Sequence, residues 1–225
     1  MSESKLFEPV LECRIASLGT IYRAESESIS ANIKSLEAKG ASIITPEEYA
    51  FRTINTPKEV IDASVGTYIR LQAIFFPEMP EDVVVSKDVT LLENIALAEK
   101  VHHNKGEIIY PGSFKKFVKE TPEEQYCMFN RGICFFQTAS LGKYKQMRFL
   151  HGEHTIDYGR WLGENQYIYT ILVSGDPGIV EAKDDEAFIR LIWIDTPNSD
   201  PAKIHMDRVF VDHYNTVLGV DKQNK

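Results

Sequence analysis

The sequence predicts an α+β fold, with helices from the N-terminal half packed on a largely antiparallel sheet built from the C-terminal half. Two patterns carry that expectation. Thr-Pro-x-Glu helix starts punctuate the chain as far as Gln125, whereas most of the chain beyond it alternates apolar and polar residues between glycine turns. A third observation is the scarcity of helical patterns between the later strands. Parallel neighbours need a connection of about a dozen residues or more, usually a helix, so an antiparallel meander is expected.

Element by element, Leu11, Cys13 and Ile15 alternate with polar partners and suggest an opening strand. Across 25–39 the apolar positions Ile29, Ile33 and Leu36 follow helical spacing, and Gly40 supplies a stop. A short strand over 41–44 comes next. Thr45-Pro46-Glu47-Glu48, Thr56-Pro57-Lys58-Glu59 and Thr121-Pro122-Glu123-Glu124 share one design. The Thr hydroxyl accepts from a first-turn amide, Glu three residues on bonds back to the cap, and Pro gives up only an N–H that lacks a partner. The first predicts a helix over 46–54. The second predicts one over 57–75, with Val60, Ile61, Val65, Tyr68 and Ile69 on a single face. The third predicts a helix ending near Arg131, before Gly132.

Between them, Pro77 and Pro80 break the chain in an acidic loop, and 88–102 shows a helical stripe of Leu91, Leu92, Ile95 and Ala98 ending at His102 and His103. Strands are expected over 107–110, 133–137 (buried), 144–149, 167–173 and 187–194, with turns over 175–178 and 195–201. A further strand through Val209 and Val211 precedes a closing segment over 214–218. No Ser/Gly/Pro-rich linker divides the chain, which reads as one domain over 1–225, helix-rich from about 20 to 131 and strand-rich from about 132 to 220.

The 225 residues are 43% hydrophobic, enough for a core that needs no disulfide or metal staple. A formal charge of −8 repels nucleic acid and anionic membranes at long range, so neither is expected as a partner. Three cysteines, an odd number among apolar neighbours, fit a reducing compartment. The N-terminus lacks a secretory pattern, and no apolar run is long enough to span a bilayer; a cytoplasmic protein is expected.

The densest set of reactive groups is His151-Gly152-Glu153-His154 with Asp157 beyond. Imidazoles and carboxylates serve as general acids, bases or metal ligands, so His151, Glu153, His154 and Asp157 are the candidate catalytic groups. The spacing differs from the H-E-x-x-H zinc helix. A divalent metal would draw on His151 and His154, with His205 as third ligand and Asp207 and His213 nearby. The bland alternative is a polar hairpin loop.

A basic stripe of Lys143, Lys145, Arg148 and Arg160, extended by Lys115, Lys116 and Lys119, is the candidate anion-binding set. A solvated sheet face with edge-protecting lysines explains it as well. Cys127 and Cys134 lie seven apart, without a C-x-x-C motif or a neighbour that stabilises thiolate. Phosphate loops and nucleophile elbows are absent. Tyr158, Trp161, Tyr167 and Tyr169 cluster along what reads as one hairpin, as core or as a ligand platform.

Two functions are compatible with these features. One is a non-catalytic binding protein whose partner is another protein or itself. The other is an acid–base or metal-assisted hydrolase centred on 151–154. The first is preferred, because no catalytic signature accompanies the aromatic-rich strands.

Overall fold

A computed structural model of the chain describes residues 8–26, 28–63, 66–87, 108–110, 112–173, 187–195, 203–206 and 215–222. The expected 88–102 helix and 175–178 turn, and positions Val65, Asp207, Val209, Val211 and His213, lie outside them, as does most of the 195–201 turn.

The chain opens with a hairpin of β1 (Val10–Ile15) and β2 (Gly19–Ser26). Helix α1 (Ile29–Ala38) comes next, its Ser28 cap accepting from the Ala31 amide and its buried stripe formed by Ile29, Ile33 and Leu36. Gly40 adopts φ 74° beyond its end, as a helix stop requires. The two-residue β3 (Ser42–Ile43) leads into α2 (Pro46–Asn55), where Thr45 and Glu48 form the full reciprocal capping box. Then come α3 (Lys58–Ala63), β4 (Thr67–Phe75), β5 (Asp82–Ser86), β6 (Ile108–Tyr110) and α4 (Phe114–Glu120).

A single 3-10 turn (Glu123–Gln125) precedes β7 (Tyr126–Asn130) and β8 (Gly132–Phe136). The second half then turns helical, through a 3-10 segment (Thr138–Lys143), α5 (Lys145–His151), a 3-10 turn (Gly152–His154) and α6 (Thr155–Glu164). Strands β9 (Tyr169–Val173), β10 (Ala187–Ile194), β11 (Lys203–His205) and β12 (Asn215–Asp221) complete the described elements.

Among the described residues twelve strands join in one mixed sheet, whose longest path runs β1-β2-β12-β4-β10-β11-β9-β8. Strand β5 pairs the upper part of β4 with β7 beyond it, β6 pairs β10, and β3 pairs β12. The β9–β11 and β4–β12 pairs are parallel and the rest antiparallel. Strands β7 and β8 are separated only by Arg131, yet one pairs β5 and the other β9. The sheet therefore bends round on itself.

The expected division into an early helical layer and a late sheet is overturned. The sheet spans the whole chain, from β1 to β12, and α5 and α6 fall in the half expected to be strands. The expected meander gives way to a crossed order in which the first hairpin lies beside the last strand, Asn215–Asp221 running against β2. Each local error has a physical source. A Thr-Pro-x-Glu box fixes where a helix begins and not how far it runs. After Thr56 only α3 forms, because 67–75 is buried along its length except at Arg70 and serves as a central strand carrying Tyr68 and Ile69. After Thr121 one 3-10 turn forms and β7 takes over. Conversely, 144–149 alternates superficially, but Met147, Leu150 and His151 recur at helical spacing and are buried together on α5. Strand β8 stands where expected, though Ile133 is 60% and Phe135 70% exposed.

Alternate residues of the strands feed different clusters. Ile192 and Ile194 of β10, with Leu218 and Val220 of β12, join Tyr49, Met147, Leu150, Tyr158 and Leu162 from α2, α5 and α6. Leu191, Trp193 and Val217 face the other way, onto Ile29, Ile33 and Leu36 of α1. Fully burying such an aliphatic side chain stabilises the fold by about 1.5–3 kcal/mol.

Candidate functional site

His151 ends α5 and is fully buried. Its Nδ1 lies 3.3 Å from the Pro46 carbonyl oxygen and its Nε2 2.7 Å from the Tyr169 hydroxyl. A carbonyl only accepts, so Nδ1 carries the proton and Nε2 accepts from Tyr169. The Tyr158 and Tyr169 rings stand 4.8 and 5.5 Å away. Burial, helped by the Lys87 charge and opposed by the Pro46 carbonyl, pulls the imidazole down to about 4. It is neutral at physiological pH, and both nitrogens are engaged. Burial likewise raises Tyr49, Tyr158 and Tyr169, which stay protonated.

His154 lies in the following turn, its ring tilted against Phe51 at 4.7 Å, with the exposed Glu153 carboxylate 3.7 Å from Nε2. Gly152 has φ 54°, and the Glu47 carboxylate fills the space a Cβ would take. Asp157 pairs with Arg160 at 3.0 Å, one turn along the exposed side of α6. His205 sits on β11, its Nε2 2.7 Å from Asp195 Oδ2, while Trp193 Nε1 donates to Asp195 Oδ1 at 2.6 Å. Among the described residues no group of three or more His, Cys, Asp and Glu is placed to hold a metal ion.

The basic stripe is divided. Lys145 is exposed and 3.6 Å from Glu123, and the Arg148 guanidinium donates to the Gly142 carbonyl at 2.6 Å. Lys143 and Arg160 line an open groove of about 590 Å³ between the Thr138–Lys143 segment and α6, with Ser140, Ile156 and Glu164. Lys115, Lys116 and Lys119 lie on α4. The groove's floor depends on glycine, since a Cβ on Gly159 would collide with the Thr138 carbonyl. Gly159→Ala is therefore expected to lower stability by about 1–3 kcal/mol through overpacking, read as a lower urea midpoint. An unchanged midpoint would show that the Thr138–Lys143 segment yields freely.

Of the aromatic cluster, Tyr158 and Tyr169 are core residues, whereas Trp161 stacks on Tyr167 at 5.6 Å with both half-buried. They come from α6 and the segment after it, so the expected hairpin is a helix followed by a strand. All three cysteines are free thiols, and burial pushes Cys13 and Cys127 up.

Two features escaped the sequence reading. The first is a buried ion pair of Arg52 on α2 with Glu12 on β1, beside the Tyr49 ring, whose centroid is 5.7 Å from the guanidinium carbon. Burial lowers the Arg52 guanidinium to about 10, and it remains charged at neutral pH. The only sequence signal was that Arg52 shares a helical face with Tyr49. The second is an apolar strip at the sheet margin. The β8–β9 register pairs Phe135 with Thr170 and Ile133 with Leu172, and alternation puts Ile168, 54% exposed, on the same face. Apolar runs in the sequence looked buried, and only the sheet order reveals a margin.

The architecture is a curled mixed sheet with helices packed on both faces. A solved structure, described as the accommodation of massive sequence variation in Nanoarchaeota by the C-type lectin fold, matches with a TM-score of 0.60, covering 89% of this chain and 97% of that chain at 13% identity. The likeness is one of fold alone. No family model and no curated protein matches the sequence. No described helix is long and apolar enough to cross a membrane.

Proposed function

We propose that this chain is a non-catalytic binding protein whose partner is another protein or a second copy of itself. The observation that carries the reading is the strip of Ile133, Phe135 and Ile168, which leaves large apolar side chains in water at one margin of the sheet. His151, by contrast, is held inside the core by two hydrogen bonds. The C-type-lectin-like fold is compatible with binding. A cytoplasmic setting suits three free thiols.

The test compares wild-type chain with Phe135→Glu, both by light scattering across a concentration series and as bait in native pull-down. Wild type is expected to self-associate or to retain a partner, and the variant to lose it. Two baits that both stay monomeric and retain nothing would sink the proposal.

A second reading concerns small ligands. Lys143 and Arg160 bring two cations to the groove beside α6, a setting for a carboxylate or phosphate group. Inorganic phosphate titrated at low salt is expected to perturb the Arg160 side-chain resonances of wild type and not of Lys143→Ala. Identical titrations would refute it.

A further inference from the structure

The two margins of the main sheet path differ in a way that identifies an occupant for one of them. At the β1 margin Val10 and Leu11 are exposed, but the register shifts between Leu11 and Cys13, and the strand carries Glu12 and Arg14. A bulge and charges are the usual devices that keep an edge strand from pairing with another chain. Strand β8 has neither. Its sequence, Gly132-Ile133-Cys134-Phe135-Phe136, contains no charge and no proline, and its register with β9 is continuous. Among the described residues it pairs with β9 only. Among the described residues no strand lies along the other rim of its backbone donors and acceptors.

We propose that β8 pairs with β8 of a second copy, antiparallel about a two-fold axis through Cys134, joining two sheets into one. This rests on the binding reading above and names its partner. In that register each Ile133 stands opposite Phe135 of the other copy, so the exposed apolar side chains pair across the strands. Gly132 faces Phe136, and no side chain meets a larger one on both sides. Flanking charge is compatible as well. Arg131 falls opposite the neutral Gln137, so like charges do not meet even though each chain carries −8. A chain with that net charge associates with itself most readily along an uncharged segment, and β8 is one. Lys145 lies on α5, beyond the Thr138–Lys143 segment, and not on the strand.

The axis makes a chemical prediction that other arrangements do not share. Directly opposed residues of an antiparallel pair have Cα atoms about 4.5–5.5 Å apart, within the disulfide range. Two Cys134 thiols would therefore face each other, half-buried, whereas Cys127 is buried on β7 and Cys13 lies on β1 at the other end of the main sheet path. Mild oxidation of the full-length chain with diamide removes two electrons and two protons from the opposed thiols and reduces the diazene to a hydrazine.

The experiment is oxidation followed by mapping of the bridged peptides, with sedimentation of the untreated chain alongside. The expected result is a reducible dimer bridged Cys134 to Cys134, and a noncovalent dimer whose Kd rises by about tenfold or more in Phe135→Lys. Phe135 is exposed, so the substitution leaves the core intact. A dimer bridged through another cysteine, or one unaffected by Phe135→Lys, would overturn the register. A monomeric chain that still loses a retained protein in Phe135→Glu would overturn self-pairing while leaving the binding reading standing. A chain that neither pairs nor retains anything would remove both.

Discussion

Replacing Arg52 with alanine is expected to destabilise the protein by about 3–5 kcal/mol, among the largest effects of any single substitution in this chain. The guanidinium is fully buried, and Glu12 across from it is nearly so. Truncating Arg52 leaves a carboxylate in the interior with no counter-ion, and desolvation of an unpaired charge dominates the cost. The pair itself is worth far less than its rupture. Among the described residues its remaining polar atoms, Arg52 Nε and Nη1 and Glu12 Oε2, have no hydrogen-bond partner, so its own desolvation is poorly offset. Arg52→Met combined with Glu12→Leu should therefore recover most of the loss, because two apolar groups of similar size need no partner.

The pair also has a location that can be read out. Glu12 sits at the register shift that weakens β1 pairing, and the ion pair ties that marginal strand to α2. Hydrogen exchange of the Val10–Ile15 amides should accelerate in Arg52→Ala more than exchange in β10. Equal acceleration everywhere, or a loss below about 1 kcal/mol by urea unfolding, would contradict this account.

What the sequence disclosed and what it hid divide along the range of the interactions. Helix α1 was legible because its apolar stripe and glycine stop lie within a dozen or so residues of one another. The bounds 187–194 of β10 coincide with expectation, since a run rich in β-branched, aromatic and apolar residues satisfies a fully buried strand locally. The third Thr-Pro-x-Glu box failed for the opposite reason. Its local signal is genuine, a 3-10 turn does form there, but the pairing of 126–130 with β5 outweighs the propensity to continue. Likewise Tyr68 and Ile69 obey a helical count and a strand count equally well, and only neighbours from β10 decide between them.

The candidate residues obey the same rule. That His151 and Asp157 are close in sequence was visible. That one points into a cage of tyrosines and the other to Arg160 on the surface depends on a helix the alternation of 144–149 concealed. The exposed faces of Ile133 and Phe135 were hidden more deeply. Exposure there is set by strand order, which among the described residues leaves β8 beside β9 alone.

His151 makes stability depend on pH, and the sign comes from its environment. In the unfolded chain an imidazole titrates near its ordinary value of about 6.5. In the folded protein burial holds it at about 4. Between those values the unfolded state binds the extra proton, so stability is complete above the higher one and declines as pH falls toward the lower. A separation of this size corresponds to roughly 3 kcal/mol, approached below pH 4. Protonation also places a donor on Nε2 opposite the Tyr169 hydroxyl, which can still accept, so the cost is chiefly desolvation and not a lost contact. Urea unfolding of wild type at a series of pH values from 7 to about 4 should show midpoints falling with acidity. His151→Gln removes the titration while retaining one donor and one acceptor. It is expected to be less stable than wild type at pH 7 by about 1–3 kcal/mol, since the hydrogen bonds to Pro46 and Tyr169 are imperfectly replaced. Its curve should nevertheless be flatter, so that the two proteins converge as pH falls. Parallel curves across that range would place the acid sensitivity in other groups and leave His151 without this role.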